Sequence, residues 1–231
     1  MARKNKRNSF QLGNRSLISL SSPKSPITEQ FRTIRTSIQF SNVDTDLRSV
    51  VVTSPNPAEG KSTITANLAI VFAQQGKRVL LIDSDLRKPT AHYTFQLENN
   101  IGLTNILTRQ VTLEKAVKKA SQENLWILTS GPIPPNPSEL LGSRSMKDLL
   151  EQIKNEYDFV IFDSPPVLAV TDAQVLSNLT DGVVLVMSSR NTQIDSAKKA
   201  KELLESVGAK ILGVVLNNKK EKDHLYYYGE K

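Results

Sequence analysis

Gly60-Lys61-Ser62 stands just after an apolar run, Val50-Val51-Val52, and at the start of a helical pattern. Within the stretch from Thr53 to Thr63, that order is what phosphate binding requires. A loop between a buried strand and a helix turns backbone N–H groups toward phosphate oxygens, and the helix N-terminus adds a favourable dipole. Lys61 can then reach the β- and γ-phosphates, and the Ser62 hydroxyl can reach Mg²⁺. The standard pattern G-x-x-x-x-G-K-[ST] wants Gly at 55, where this chain has Pro55. Pro57, Ala58, Glu59, Gly60, Lys61, Ser62 and Thr63 form the candidate nucleotide-binding set. Asn217 joins it as a residue placed for base recognition, although a strand-end Asn is also common in turns.

Two further apolar runs end in carboxylates, Val79 to Ile82 before Asp83-Ser84-Asp85, and Phe159 to Phe162 before Asp163. Ligands of open α/β sheets bind at the carboxyl ends of strands, so Asp83, Asp85 and Asp163 should converge on the phosphate loop. One Asp after a strand is as readily a cap or turn residue; three in register with a phosphate loop point to a site. Three clustered carboxylates repel unless a cation neutralises them, which Mg²⁺ does while bridging the phosphates. Asp163 has the place of a Walker B acid, and Ser62, Asp83 and Asp163 form the candidate metal set. Asp85 is left to orient or deprotonate a hydroxyl nucleophile. Lys61, Asp83, Asp85 and Asp163 are thus the candidate catalytic residues.

The elements that must hold these groups can be read from hydrophobic patterning. Strand-like runs lie at 49–53, 78–83, 125–129, 159–163, 183–187 and 211–217. Most are continuously apolar, as expected for parallel strands buried on both faces. Helical patterns lie between them. Residues 62–75 present Ile64, Leu68, Val71 and Phe72 on one side and stop at Gly76, while 145–156 and 193–207 are also amphipathic. An earlier helix over 28–40 carries Phe31, Ile34, Ile38 and Phe40, with Glu29, Arg32 and Arg35 at three-residue steps on one face. The alternation predicts a doubly wound α/β fold of P-loop NTPase type, with a mostly parallel sheet flanked by helices. A stiff Pro-rich loop spans 131–138 on the same rim as the other strand ends, and serves to shape a site or simply to connect.

The chain of 231 residues is 39% hydrophobic, enough for one α/β domain with tails. It carries 30 Lys+Arg against 23 Asp+Glu, a formal net charge of +7. Much of the excess is at Arg3, Lys4, Lys6, Arg7 and Arg15, a tail that reads as solvated or as drawn to an anionic membrane surface. A single aromatic, Phe10, falls among these charges, too little interleaving to point to a nucleic-acid partner, and none is expected. Cys is absent and the two His are far apart, which excludes disulfides and thiolate zinc and argues against a His metal site. No stretch has the length of a membrane span and no apolar segment follows the basic start, so the chain reads as cytoplasmic. The expected organisation is a basic flexible segment at 1–26, a P-loop domain at 27–218 and a flexible tail at 219–231.

Together these residues resemble the bacterial tyrosine kinase family, specifically the separate cytoplasmic kinase of Gram-positive capsular and exopolysaccharide operons. The resemblance covers nearly the whole chain from about residue 26. The family's loop is Ser-x-x-Pro-Gly-Glu-Gly-Lys-Ser; here it runs from Ser54 to Ser62, with Ala58 in the first Gly position, so Pro55 is normal for the family. Its Asp-x-Asp-x-Arg motif matches Asp83, Asp85 and Arg87, followed by Lys88-Pro89, and its Walker B matches Asp163-Ser164-Pro165-Pro166. Its Glu-x-x-Arg-x-x-Arg helix, used for subunit contacts in a ring, matches Glu29, Arg32 and Arg35; on spacing alone such a trio is a solvated face. Its C-terminal tyrosine cluster matches Tyr226, Tyr227 and Tyr228, three of the chain's 5 Tyr.

The resemblance implies a protein tyrosine kinase that uses ATP and Mg²⁺ and autophosphorylates these tyrosines in trans. It also implies a homo-oligomeric ring, Tyr-bearing protein substrates, and activation at the inner face of the membrane by the cytoplasmic tail of a transmembrane adaptor. The cellular role implied is control of capsule or exopolysaccharide synthesis and export. The main rival is a P-loop switch ATPase of the partition or septum-site type, which carries an extra Lys early in a Gly-rich loop. This chain has Asn56 and Pro57 there, and no Lys in the loop before Lys61. A nucleotide-binding regulator without catalysis is a further rival, disfavoured by the intact Lys61, Ser62, Asp83, Asp85 and Asp163.

Overall fold

The computed structural model describes residues 17–41 and 46–219. The basic residues at 3–15 and the tyrosines Tyr226, Tyr227 and Tyr228 lie outside the described residues. In chain order the elements are α1 (Ile18–Ser21), α2 (Pro26–Phe40), β1 (Ser49–Thr53), α3 (Lys61–Ala73), β2 (Val79–Asp83), α4 (Ala91–Thr94), α5 (Leu103–Leu107), α6 (Leu113–Ala116) and β3 (Lys118–Lys119). They continue with β4 (Leu125–Leu128), α7 (Pro137–Leu141), α8 (Arg144–Glu156), β5 (Phe159–Asp163), α9 (Asp172–Ser177), β6 (Gly182–Ser188), α10 (Ile194–Ser206) and β7 (Ile211–Asn217).

The strands form one sheet in the order β3-β4-β2-β5-β1-β6-β7. All pairings are parallel except that of β3, which runs antiparallel to β4 at the edge. This is the doubly wound, mostly parallel α/β architecture that the alternating runs predict. The β3 edge was invisible in the sequence, because Lys118-Lys119 carries neither apolar alternation nor β-propensity.

Successive strand residues face opposite sides, so each apolar run feeds two cores. Val50, Val52, Leu81, Phe159 and Ile161 pack on one side with α3, where the Phe72 and Phe159 rings stack at 4.0 Å. Val51, Leu80, Ile82, Val160 and Phe162 pack on the other side with Leu149 and Ile153 of α8.

Two expectations change. Residues 62–75 read as a helix with one apolar side, yet every residue of α3 from Ile64 to Ala73 is buried. The cause is a second layer: α2 and α1 cover its outer face. The polar Asn67 is accommodated there because its Oδ1 accepts from Ser19 N at 2.9 Å and its Nδ2 donates to Thr63 O at 2.9 Å. For the same reason the packed chain starts before residue 27, with Leu17 and α1 lying against α3 and Gln74 Nε2 donating to Ser19 O at 3.0 Å. On α2, Phe31 and Ile38 face the core as expected, but Phe40 is 77% exposed. Two residues past Ile38, it has turned about 200° round the helix from the buried stripe.

Candidate nucleotide and acceptor site

β1 lies between β5 and β6, so the loop leaving Thr53 emerges at the centre of the carboxyl edge of the sheet. The loop is shaped by two left-handed residues, Ala58 at φ +63° and Gly60 at φ +93°. Glycine suits position 60, because φ +93° is strained for an L-residue and a Cβ there would lie 2.2 Å from Asn217 Nδ2 and displace it. The Ala58 conformation costs an L-residue roughly 1–2 kcal/mol, so the rest of the loop must hold it. α3 then begins at Lys61, with Ile64 N bonded to Gly60 O at 3.0 Å.

The carboxylates converge as the register requires. Asp83 and Asp163 are direct partners on adjacent strands β2 and β5. Lys61 Nζ sits 3.1 Å from Asp85 Oδ2, 3.4 Å from Asp163 Oδ1 and 3.2 Å from Ser62 Oγ. Burial works to lower the Lys61 pKa, but the charges of Asp163 and Asp85 outweigh it and hold the ammonium above its ordinary value. Asp85 Oδ1 also accepts from Lys88 N at 3.0 Å, which fixes the carboxylate at the turn after β2.

Asp83 is fully buried. Its Oδ2 accepts from Thr90 N and Ala91 N, both at 2.8 Å, while its Oδ1 is buried with no hydrogen-bond partner. An orphaned carboxylate oxygen beside a second carboxylate and a serine hydroxyl is a hard-oxygen donor set of the kind Mg²⁺ takes. Among the described residues no three His, Cys, Asp or Glu side chains are grouped to hold a metal by themselves. That suits an ion bound through one or two carboxylates and substrate phosphates rather than by a protein cage.

The loop, Asp85 and the turn after β5 enclose a cleft of 820 Å³. Pro165, Pro166, Ala169 and Val170 give the lining an apolar part, and Arg87 and Lys88 line it beside Asp85. Arg87 is anchored: Nε and Nη2 donate to the Asp172 carboxylate at 3.0 and 3.1 Å, and Nη2 donates to Ser138 Oγ at 3.1 Å. Ser138 Oγ donates to Asp172 Oδ1 at 2.5 Å, so the Pro-rich 131–138 loop does shape this rim.

A family model described as an AAA domain matches residues 48–211. The chain is 53% identical to the tyrosine-protein kinase YwqD of Bacillus subtilis, across 99% of this chain and 96% of that one. It is 38% identical to the tyrosine-protein kinase CpsD of Streptococcus agalactiae, across 86% of this chain and 85% of that one. The chain belongs to the bacterial tyrosine kinase family. Among solved structures, the chimerical protein CapA2B2 is 50% identical and superposes with a TM-score of 0.86, covering 89% of this chain and 90% of that one.

The chain is a tyrosine-protein kinase with a P-loop fold, and that fold implies nucleotide binding. Of the residues singled out from the sequence, Lys61, Ser62, Asp83, Asp85 and Asp163 meet at the strand ends. Pro57, Ala58, Gly60 and Thr63 line the cleft. Glu59 turns inward and is 2% exposed. The Asn217 carboxamide is engaged on both sides, Nδ2 donating to Glu59 O and Oδ1 accepting from Asn218 N, each at 2.9 Å. On α2, Glu29 pairs with Arg32, but Arg35 turns to its own chain and donates to Val71 O at 2.9 Å. Val71 lies about 15 Å of helix rise from Lys61, so this trio is not part of the cleft of its own chain. No helix among the described residues is long and apolar enough to cross a membrane. Asp172 and Thr192 were missed by sequence reading: neither sits in a motif, and each is found only through its partner in space.

Burial, reinforced by the Asp163 charge, pushes the Asp83 carboxyl up to about 7. An acid raised in this way stays protonated in the folded protein while the unfolded chain has already ionised. Its contribution is therefore complete below the unfolded carboxyl pKa near 3.9 and is lost as pH climbs through about 7. The ligand-free kinase is expected to lose on the order of 2 kcal/mol between pH 5 and pH 8 from this group. Asp83→Asn should remove that part of the slope in urea unfolding at the two pH values. A variant with the wild-type slope would show that Asp83 does not carry it.

Proposed function

We propose that this kinase transfers the γ-phosphoryl group of ATP to tyrosines of its own C-terminal cluster, Tyr226, Tyr227 and Tyr228, presented by a neighbouring subunit. The observation that carries this reading is the apolar surface that Pro165, Pro166, Ala169 and Val170 add to the lining of the cleft they share with the loop and Asp85. A hydrolase needs only a water there; an apolar surface suits a phenol ring.

The roles then follow from chemistry. The loop amides of 58–60 and the Lys61 ammonium hold the polyphosphate and stabilise charge on the transferring group. Ser62, Asp83 and Asp163, directly or through a bound water, would hold Mg²⁺, which neutralises charge on the β- and γ-oxygens when bound. Asp85 orients the phenol and accepts its proton as the phenol oxygen bonds to phosphorus and the β–γ bridging bond breaks, releasing ADP. A phenol with a pKa near 10 needs positioning more than a strong base. Glu29 and Arg32 on α2 present the subunit contact of a ring. A transmembrane adaptor supplies the activating cytoplasmic segment and brings the kinase to the inner face of the membrane, where it regulates capsule or exopolysaccharide synthesis and export. The existence of a relative solved as the chimera CapA2B2 supports a partner-dependent kinase.

The test is to incubate purified protein with ATP and Mg²⁺, with and without an adaptor tail, and to map phosphate by mass spectrometry. Phosphate is expected on Tyr226, Tyr227 or Tyr228, and mixing an inactive subunit with an active one should label the inactive chain. ATP hydrolysis without phosphotyrosine under both conditions would favour the switch-ATPase reading.

A further inference from the structure

Glu59 is the charged residue of the phosphate loop that phosphate binding does not use. Its carboxylate points away from the cleft and meets three donors. Oε2 accepts from Asn56 N at 3.0 Å; Oε1 accepts from Thr192 Oγ1 at 2.5 Å and from Asn56 Nδ2 at 3.3 Å. Thr192 lies in the turn between β6 and α10, and its Oγ1 accepts from Ser188 N at 2.8 Å. Ser188 Oγ accepts from Asn218 Nδ2 at 3.3 Å. Asn218 N donates to Asn217 Oδ1, and Asn217 Nδ2 donates back to Glu59 O, both at 2.9 Å. The bonds close a circuit from the loop through the end of β6 to the end of β7 and back.

A buried anion beside a polyphosphate site opposes binding by its charge, so its presence needs another cause. Three donors converge on this group, and an ionised carboxylate is acceptor-only, with room for all of them. A glutamine would turn an N–H₂ toward donors. The loop also contains the left-handed Ala58 and Gly60, a shape the chain does not adopt without support.

We infer that Glu59 and Thr192 form a clasp that positions the phosphate loop for nucleotide and couples its occupancy to the point where the chain leaves β7. They are positioning residues, acting on phosphate through the backbone of 56–60. The inference rests on the nucleotide-binding role of the loop and is independent of where the phosphoryl group goes.

Thr192 does not line the cleft, so it isolates the effect. Thr192→Val keeps the shape and removes the hydroxyl, whereas Thr192→Ser keeps the hydroxyl. With a fluorescent N-methylanthraniloyl ADP and Mg²⁺ as probe, Thr192→Val is expected to weaken binding about tenfold, as loss of a hydrogen bond to a charged group does. Thr192→Ser should stay within about twofold of wild type. In the ligand-free protein, hydrogen exchange of the Asn56 and Ser188 amides should rise in Thr192→Val while the core strands keep their protection. Glu59→Gln should reproduce both effects.

Wild-type affinity and exchange in Thr192→Val would overturn the clasp. So would equal losses in the Ser and Val variants, or exchange rising across the whole sheet, which is general destabilisation. A tenfold loss in a protein that forms no phosphotyrosine would leave the clasp standing and remove the kinase mechanism proposed above. Normal phosphotyrosine with an unaffected Val variant would do the reverse.

Discussion

Lys61→Met is expected to abolish phosphotyrosine formation, lowering the transfer rate by at least about 10²–10³-fold, the effect of removing a charge-stabilising donor from a transition state. Met fills similar space and keeps the helical stem, so the loss isolates the ammonium. The same substitution has a second signature that does not need ATP. The ammonium lies between Asp85 and Asp163 and is almost entirely buried. Removing it leaves those two acids and Asp83 facing one another without a cation, and stripping one partner from a buried pair costs about 3–5 kcal/mol. The deficit should be larger at pH 8 than at pH 5, because Asp83, whose carboxyl is pushed up to about 7, holds a proton at the lower pH. Rapid-quench transfer assays and unfolding at both pH values check the two signatures. A Lys61→Met protein that labels its tail at the wild-type rate would place the transferring phosphoryl group away from this ammonium.

That much could be argued from spacing because motif residues sit at strand ends, where sequence order fixes position in space. The strands at 49–53, 159–163 and 211–217 could be delimited to the residue, since each apolar run is bounded by polar chain. Asp83 and Asp163 follow as register partners once both runs are parallel neighbours of one sheet. What was not legible depends on partners distant in sequence. The all-round burial of α3 comes from α1 and α2, and no periodicity within 61–73 reveals a cover supplied by 17–40. The direction of Glu59 is set by Thr192, far along the chain, so a residue that reads as a phosphate-loop contact turns out to face inward. The anchoring of Arg87 by Asp172 and Ser138 joins three segments with no shared pattern.

Asp85→Asn is expected to separate binding from transfer. Asp83 and Asp163 are register partners on adjacent strands, whereas Asp85 lies beyond the end of β2 and lines the cleft. An asparagine keeps the acceptor for Lys88 N, which Asp85 Oδ1 bonds at 3.0 Å, so the turn should hold its shape. It loses the negative charge that faces Lys61 at 3.1 Å and the capacity to take a proton from a phenol. Nucleotide affinity should therefore change little, or strengthen modestly, because Lys61 loses a competitor for its charge. Transfer to tyrosine should fall by about 10²–10⁴-fold, the range for a positioned proton acceptor. Single-turnover transfer and direct nucleotide binding on the same preparation decide the matter. Equal losses in both would assign Asp85 to holding Lys61 and the loop. If hydrolysis to ADP persists while tyrosine labelling disappears, the residue acts on the acceptor, and it is the group that makes this cleft a kinase rather than an ATPase.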